Sequence, residues 1–183
     1  DRRLAEVACD ALAGAPYEVV VTTADVDPAG LPTAANVRIE RFLPHAPLLE
    51  RAACVVCHAG MGITQKSLAH GVPVVAVPFG RDQPEVARRV EVAGAGIRLP
   101  ARKLRAEPLR EAVSRAIELR PGAERIAAAF AAAGGAVAAA DELERLTLDR
   151  APATAEAATH GGQLQQPSTE LPQSRTLTRR SIR

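Results

Sequence analysis

The chain has 183 residues, 47% of them hydrophobic and 2% aromatic, and a net charge of +2. That length and composition suit one domain with an aliphatic, Ala-rich core and room for a tail. A charge so near neutral gives no ground for a nucleic-acid or membrane-surface partner, and the longest apolar stretch, residues 126–140, is shorter than the ~20 residues a membrane span needs.

In chain order, residues 2–13 have helical spacing, with Leu4, Val7, Ala8, Ala11 and Leu12 on one face and Gly14 at the end. Glu18 to Thr23 is a β-branched strand, and residues 24–36 form a loop rich in Asp, Pro and Gly. Val37 to Glu40 is a short strand. Leu48 to Arg51 is a helical turn. Ala52 to Cys57 is an apolar run that suits a strand buried on both faces. The pattern turns helical from Ile63 to His70, with Gly71 as a C-terminal cap. Pro73 to Val77 is a second buried strand, a helix covers 85–93, and Ile97 to Leu99 is an edge strand. Helices are predicted at 106–119 and 122–147. This alternation implies an α/β fold, a parallel sheet with helices on both faces. A helix comes first and no strand precedes it, so the sheet is expected to be incomplete and the chain to begin inside a larger domain.

From Asp149 onward Pro, Thr, Gln, Ser and Gly dominate and apolar periodicity stops. The expected division is a domain over 1–148, N-terminally incomplete, and a disordered tail over 149–183. Arg175, Arg179, Arg180 and Arg183 make the tail basic, but no aromatic residues accompany them for base stacking. The chain opens on Asp1-Arg2-Arg3-Leu4 without a signal segment, and a soluble, cytoplasmic protein is expected.

The three cysteines are a poor disulfide framework. Cys54-Val-Val-Cys57-His58 matches the Cys-x-x-Cys-His pattern of haem attachment, but the preferred reading is two small apolar residues in a buried strand. Asp25-Val26-Asp27 could hold a divalent cation against a diphosphate. The continuation Pro28-Ala29-Gly30 is turn chemistry, and a solvent loop is the preferred reading. No metal is expected.

The chemistry concentrates after Cys57. Strand, His58, Gly60-x-Gly62 and helix follow in order, and a helix N-terminus after a glycine turn presents free N–H groups and partial positive charge to a phosphate. The third glycine of the dinucleotide fingerprint is missing, since position 65 is Gln. Ligands of parallel α/β sheets sit at the carboxyl ends of strands. His58, Gly60, Gly62, Asp82 and Gln83 all fall just after predicted strands. An ordinary turn capped by His58, a core Phe42, and an N-cap Asp82 beside a solvated Gln83 are the plainer readings of the same residues.

Residues 36–100 resemble the C-terminal, donor-binding domain of nucleotide-sugar-dependent glycosyltransferases with two Rossmann-like domains (the GT-B architecture), nearest to bacterial antibiotic and macrolide enzymes. The resemblance rests on Asn36-Val37-Arg38, Phe42-Leu43-Pro44-His45, Leu48-Leu49, His58-Ala-Gly60-Met-Gly62-Ile-Thr64, Gly71-Val72-Pro73, Phe79-Gly-Arg-Asp82-Gln83 and Gly94-Ala-Gly96, in that order. It extends more loosely to about residue 147 and does not cover the tail.

The resemblance implies that His58 hydrogen-bonds the donor diphosphate, with backbone N–H groups from Gly60, Gly62, Ile63 and Thr64 and the Thr64 hydroxyl. It places Phe42 against the base, the Leu43 main chain at the base edge, and Asp82 and Gln83 on the sugar hydroxyls. Three positions depart from the pattern: Ile63 replaces a Ser or Thr, Lys66 a Glu that meets the ribose, and His45 a Gln of plant relatives.

The implied function is the donor-binding part of an inverting glycosyltransferase. It would transfer a hexose from a UDP- or dTDP-sugar to a hydroxyl of a small natural-product acceptor, with no cofactor. The catalytic base and the acceptor site belong to an N-terminal domain missing from this chain, so no residue here is assigned as catalytic and the chain alone is expected to transfer no sugar. The alternatives are a degenerate domain that binds a nucleotide sugar without turnover and, ranked lower, a nucleotide-sugar epimerase, which would need more cleft carboxylates than Asp82.

Overall fold

In the computed structural model, residues 2–148 are described. The chain divides into two units, Asp1–Glu144 and Arg145–Arg183. The tail expected over 149–183 lies outside the described residues.

Helix α1, Arg2–Leu12, buries Ala8, Cys9, Ala11 and Leu12 along one stripe, close to the periodicity in the sequence. Asn36 ties its end to the first strands. Its side-chain oxygen accepts from the Gly14 N–H at 2.9 Å, and its amide donates to the carbonyls of Leu12, Ala15 and Tyr17. Strand β1, Val19–Thr22, pairs in parallel with β2, Val37–Glu40. After the short helix α2, His45–Leu49, a second parallel sheet is laid down in the order β3-β4-β5: Val55–Cys57, Val74–Ala76 and Gly96–Arg98. Helix α3 (Met61–Ala69) joins β3 to β4, and α4 (Gln83–Val92) joins β4 to β5. Helix α5, Ala106–Glu118, follows a 3-10 turn at Ala101–Lys103.

Alternation of side chains across the strands gives two cores. On one face Val19, Val75 and Val77 pack with Ala8, Ala11 and Leu12 of α1 and with Leu109, Val113 and Ala116 of α5. On the other, Cys57, Val74 and Ala76 meet Leu68 of α3, Val86 and Val90 of α4, and Ala123. Both sheets run in one direction. Arg3 near the start of α1 reaches the Leu104 carbonyl just before α5, and Arg110 of α5 reaches the Ala11 carbonyl near the end of α1. The two helices are therefore parallel, and all carboxyl ends of the strands lie at one edge of the domain.

Three expectations change. The helix predicted over 122–147 is two helices, α6 (Arg120–Ala132) and α7 (Gly135–Leu148). Gly134 and Gly135 both take positive φ, 73° and 59°, a left-handed pair that ends a helix. The stretch 120–147 has a window of mean hydropathy 1.4, apolar and long enough by composition to cross a membrane, yet that break leaves helices of 13 and 14 residues, below the ~20 needed. Second, β3 is only partly covered: Val55 and Val56 are half-buried, whereas all of β4 is buried as predicted. Third, α3 starts at Met61, two residues earlier than its apolar pattern, because Gly60 and Gly62 carry no side chain to mark the first turn.

Candidate functional site

The carboxyl edge carries the strained backbone of the domain. Among the described residues, three other than glycine adopt positive φ: Ala24 (50°) after β1, Ala59 (65°) after β3 and Arg81 (57°) after β4. Left-handed backbone with a Cβ costs ~1–3 kcal/mol per residue and clusters where loops are held for a purpose. All three follow strand ends at the edge where parallel sheets bind ligands.

The centre of that edge is the start of α3. At the opposite edge Arg120 ties the amino end of β3 to the end of α3, donating to the carbonyls of Ala52, Ala53 and Gly71 at 2.7 to 3.3 Å. Ala59 is fully buried and turns the chain. Gly60 is the N-cap, with extended backbone and no side-chain cap. The first intrahelical donor is Thr64, whose N–H bonds the Gly60 carbonyl at 3.1 Å. The amides of Met61, Gly62 and Ile63 ahead of it have no partner among the described residues, and they carry the positive end of the helix dipole. The exposed imidazole of His58 folds over Gly60, its Nε2 occupying the space a Cβ there would need. Around Gly62 nothing lies within 4 Å of such a Cβ. The result is an open seat with three free donors on its floor and a ring nitrogen at its side.

Thr64 does not belong to that seat. Its N–H is engaged, its side chain is buried, and its hydroxyl lies 3.9 Å from the Cys57 thiol. Met61, absent from the sequence reading, supplies an amide instead. Its own side chain carries no signal of this; only the position of the helix start does. Gly60 contributes the opening and the cap position, and Ile63 contributes its amide.

Asp82 occupies the N-cap position of α4 but makes no side-chain cap. Its exposed carboxylate has no hydrogen bond or ion pair among the described residues. It follows β4, which is paired to β3 with Cys57 opposite Ala76, so the His58 and Asp82 loops leave adjacent strands. Gln83 is partly committed. Its side-chain oxygen accepts from the N–H groups of Phe79 and Gly80 at 2.8 and 3.1 Å, which holds the left-handed turn at Arg81 and leaves only its NH₂ for a ligand. Phe42, just past β2, is 79% exposed and is not core. Leu43 beside it is half-buried.

The rival motifs find structural duties. The Asp27 carboxylate accepts from the Ala29 N–H at 3.2 Å and lies 3.6 Å from the Arg41 guanidinium, an Asx turn of the kind expected for a loop. Among the described residues no group of three or more His, Cys, Asp or Glu is gathered for a metal. Cys54 packs with one core and Cys57 with the other, so their sulfurs sit on opposite faces of β3. Two thioether bonds to one haem ring would need both on one side. Burial pushes the Cys54 thiol up to about 12, opposed by a backbone hydrogen bond from Val75. Burial likewise raises Cys57.

Residues 6–146 match the family model described as "Erythromycin biosynthesis protein CIII-like, C-terminal domain". The chain is 39% identical over 148 residues to 4'-demethylrebeccamycin synthase of Lentzea aerocolonigenes, covering 79% of this chain and 35% of that protein. Among solved structures it resembles the calicheamicin glycosyltransferase CalG4, with a TM-score of 0.74 and 31% identity over 82% of this chain and 40% of the other. It also resembles the glycosyltransferase VinC in complex with dTDP, with a TM-score of 0.64 and 29% identity, covering 70% and 33%. The chain thus spans about a third of the length of the curated relatives it matches.

Proposed function

Because the chain belongs to the family of erythromycin biosynthesis protein CIII-like C-terminal domains, we propose that it is the donor-binding part of a glycosyltransferase of natural-product biosynthesis. The observation that carries this reading is the α3 N-terminus, where the free amides of Met61, Gly62 and Ile63 meet the His58 imidazole over an open Gly62. A diphosphate is the ligand this arrangement suits: its oxygens accept several hydrogen bonds and its charge complements the helix dipole. VinC, a structural neighbour, was solved with dTDP, in keeping with a UDP- or dTDP-sugar here.

In this reading Phe42 stacks on the base and the Leu43 main chain meets its edge. The Asp82 carboxylate accepts from sugar hydroxyls, and the Gln83 NH₂ donates to one. The acceptor oxygen attacks the anomeric carbon from the face opposite the diphosphate. The bond from that carbon to the diphosphate oxygen breaks with inversion, and the acceptor proton passes to a base outside this chain. The residues here stabilise the charge that grows on the leaving diphosphate, through three amides and His58 and without a metal. The acceptor, a small molecule with a hydroxyl, binds to polypeptide outside this chain, and the assembly works as a soluble cytoplasmic enzyme.

Calorimetric titration with dTDP and UDP tests the reading. Saturable one-to-one binding of either, weakened by roughly 10-fold or more in His58→Ala through loss of a hydrogen bond to a charged group, is expected. Equal binding by a folded His58→Ala variant would overturn the role of His58.

A further inference from the structure

The seat at the start of α3 offers amides, an imidazole and a helix dipole, and a dipole end is worth only about half an elementary charge. The hydroxyls nearby add nothing to it: Ile63 has none, and that of Thr64 turns inward to Cys57. The guanidinium groups around β2 are engaged, Arg38 with Glu40 at 3.0 Å and Arg41 with Asp27 at 3.6 Å. Arg81 is followed at once by Asp82, so the loop after β4 brings no net charge.

Helix α3 reads Met-Gly-Ile-Thr-Gln-Lys-Ser-Leu-Ala, and its one charged residue is Lys66. Lys66 is exposed, and its ammonium forms no ion pair or hydrogen bond among the described residues. The positions from which a helix holds a lysine lie three and four residues away. Here they are Gly62, Ile63, Ala69 and His70, none of them acidic. A helical side chain leans towards the helix N-terminus and covers the turn ahead of its own Cα, which for Lys66 is the turn of Gly62 and Ile63. Four residues of helix rise about 6 Å, a span that the four-carbon stem of lysine covers. Gly62 has no side chain, and nothing stands within 4 Å of where one would begin. The path from Lys66 to the free amides is therefore open.

We propose that Lys66 is a diphosphate contact of this site. Its ammonium lies over Gly62 against a phosphate oxygen of the bound nucleoside diphosphate and supplies the full positive charge that the amides and dipole lack. The inference rests on the nucleotide reading above and adds to it a residue that selects for phosphate charge. The plainer role of a lysine in the last turn of α3 is to complement the carboxyl end of the helix dipole; that role moves stability and leaves ligand affinity alone.

Calorimetry with dTDP and UDP on the full chain, unaltered and as Lys66→Arg, Lys66→Met, Lys66→Glu and His58→Ala, tests it, beside thermal melts of each. Lys66→Met should weaken the tighter-binding nucleotide by roughly 5-fold or more, and Lys66→Arg should retain most of what Lys66→Met loses. Lys66→Glu should bind more weakly than Lys66→Met, because a carboxylate there repels the phosphates. The loss in Lys66→Met should shrink as salt is raised, by screening. Lys66→Glu binding as tightly as the unaltered chain would assign the position to ribose hydroxyls, from which a carboxylate can accept, and would overturn the proposal. Equal affinity in all three Lys66 variants, with only the melting midpoint moved, would leave the dipole role alone and overturn it as well. If His58→Ala loses affinity and Lys66→Met does not, the nucleotide reading stands and the Lys66 contact falls. No saturable binding by the unaltered chain would overturn both.

Discussion

The imidazole of His58 fills the space a β-carbon on Gly60 would need, so a methyl group at position 60 has no room unless the ring moves. Gly60 has φ −65° and ψ 137°, a conformation open to any residue, so its glycine is required by the ring and not by the backbone. Two residues on, Gly62 faces open space. These two glycines therefore separate a fold role from a ligand role. Gly60→Ala should displace His58 and reproduce the His58→Ala loss, roughly 10-fold in dTDP affinity. Gly62→Ala should leave the thermal midpoint unchanged or slightly raised, since alanine is the better helix former by ~1 kcal/mol. It should nonetheless weaken dTDP binding, because the new methyl stands where the diphosphate sits. Calorimetry beside thermal melts reads both, and a Gly62→Ala variant with undiminished affinity would place the ligand elsewhere.

Asp82 stands at a helix start without capping it, which leaves its carboxylate for a ligand. Asp82→Ala should weaken binding of a dTDP-sugar by roughly 10-fold, the scale of a charge-assisted hydrogen bond. The affinity for dTDP itself should stay within about twofold. Equal losses for both ligands would tie Asp82 to the loop and not to the sugar.

The half-buried Cys54, whose thiol packs against the core, gives a pH signature. Its pKa is raised from 9.0 to about 12, chiefly by burial, so folding favours the protonated thiol. The unfolded chain then releases this proton first as pH rises. The stabilisation is complete below the unfolded value and is lost as pH rises above it. Denaturant unfolding of the chain and of Cys54→Ala should show a stability difference that is constant near pH 7–8 and shrinks towards pH 10–11. A difference that stays level to pH 11 would contradict the buried thiol.

Much of the fold was legible because its periodicities are clean. The stripe from Leu4 to Leu12 specified α1, and Val37 to Glu40 was found residue for residue. What the pattern concealed were facts about neighbours. Val55 and Val56 read as a fully buried strand, and their apolar character is real; β3 is the outer strand of its sheet among the described residues, so they are only half-buried. The Ala-rich run over 122–147 looked like one helix, since Gly134 and Gly135 cost little until both take positive φ. At the site, His58, Asp82 and the two glycines were visible as residue types after strands. Met61 was not, because a backbone amide has no letter of its own. Thr64 reads as a phosphate ligand from its motif, while the inward turn of its side chain towards Cys57 has no signal in the sequence. Gln83 was read as a sugar ligand, and its oxygen proved to be holding the Phe79–Gly80 turn.

The central claim is that a nucleoside diphosphate sits on the N-terminus of α3. The most direct measurement is a titration of the isotopically labelled chain with dTDP, followed by amide resonances one residue at a time. The account predicts saturable shifts largest at Met61, Gly62 and Ile63, with a smaller response around His58 and Phe42 and none at the opposite edge near Gly14 and Tyr17. Saturable shifts that spare the three α3 amides, or that gather at the opposite edge, would contradict it.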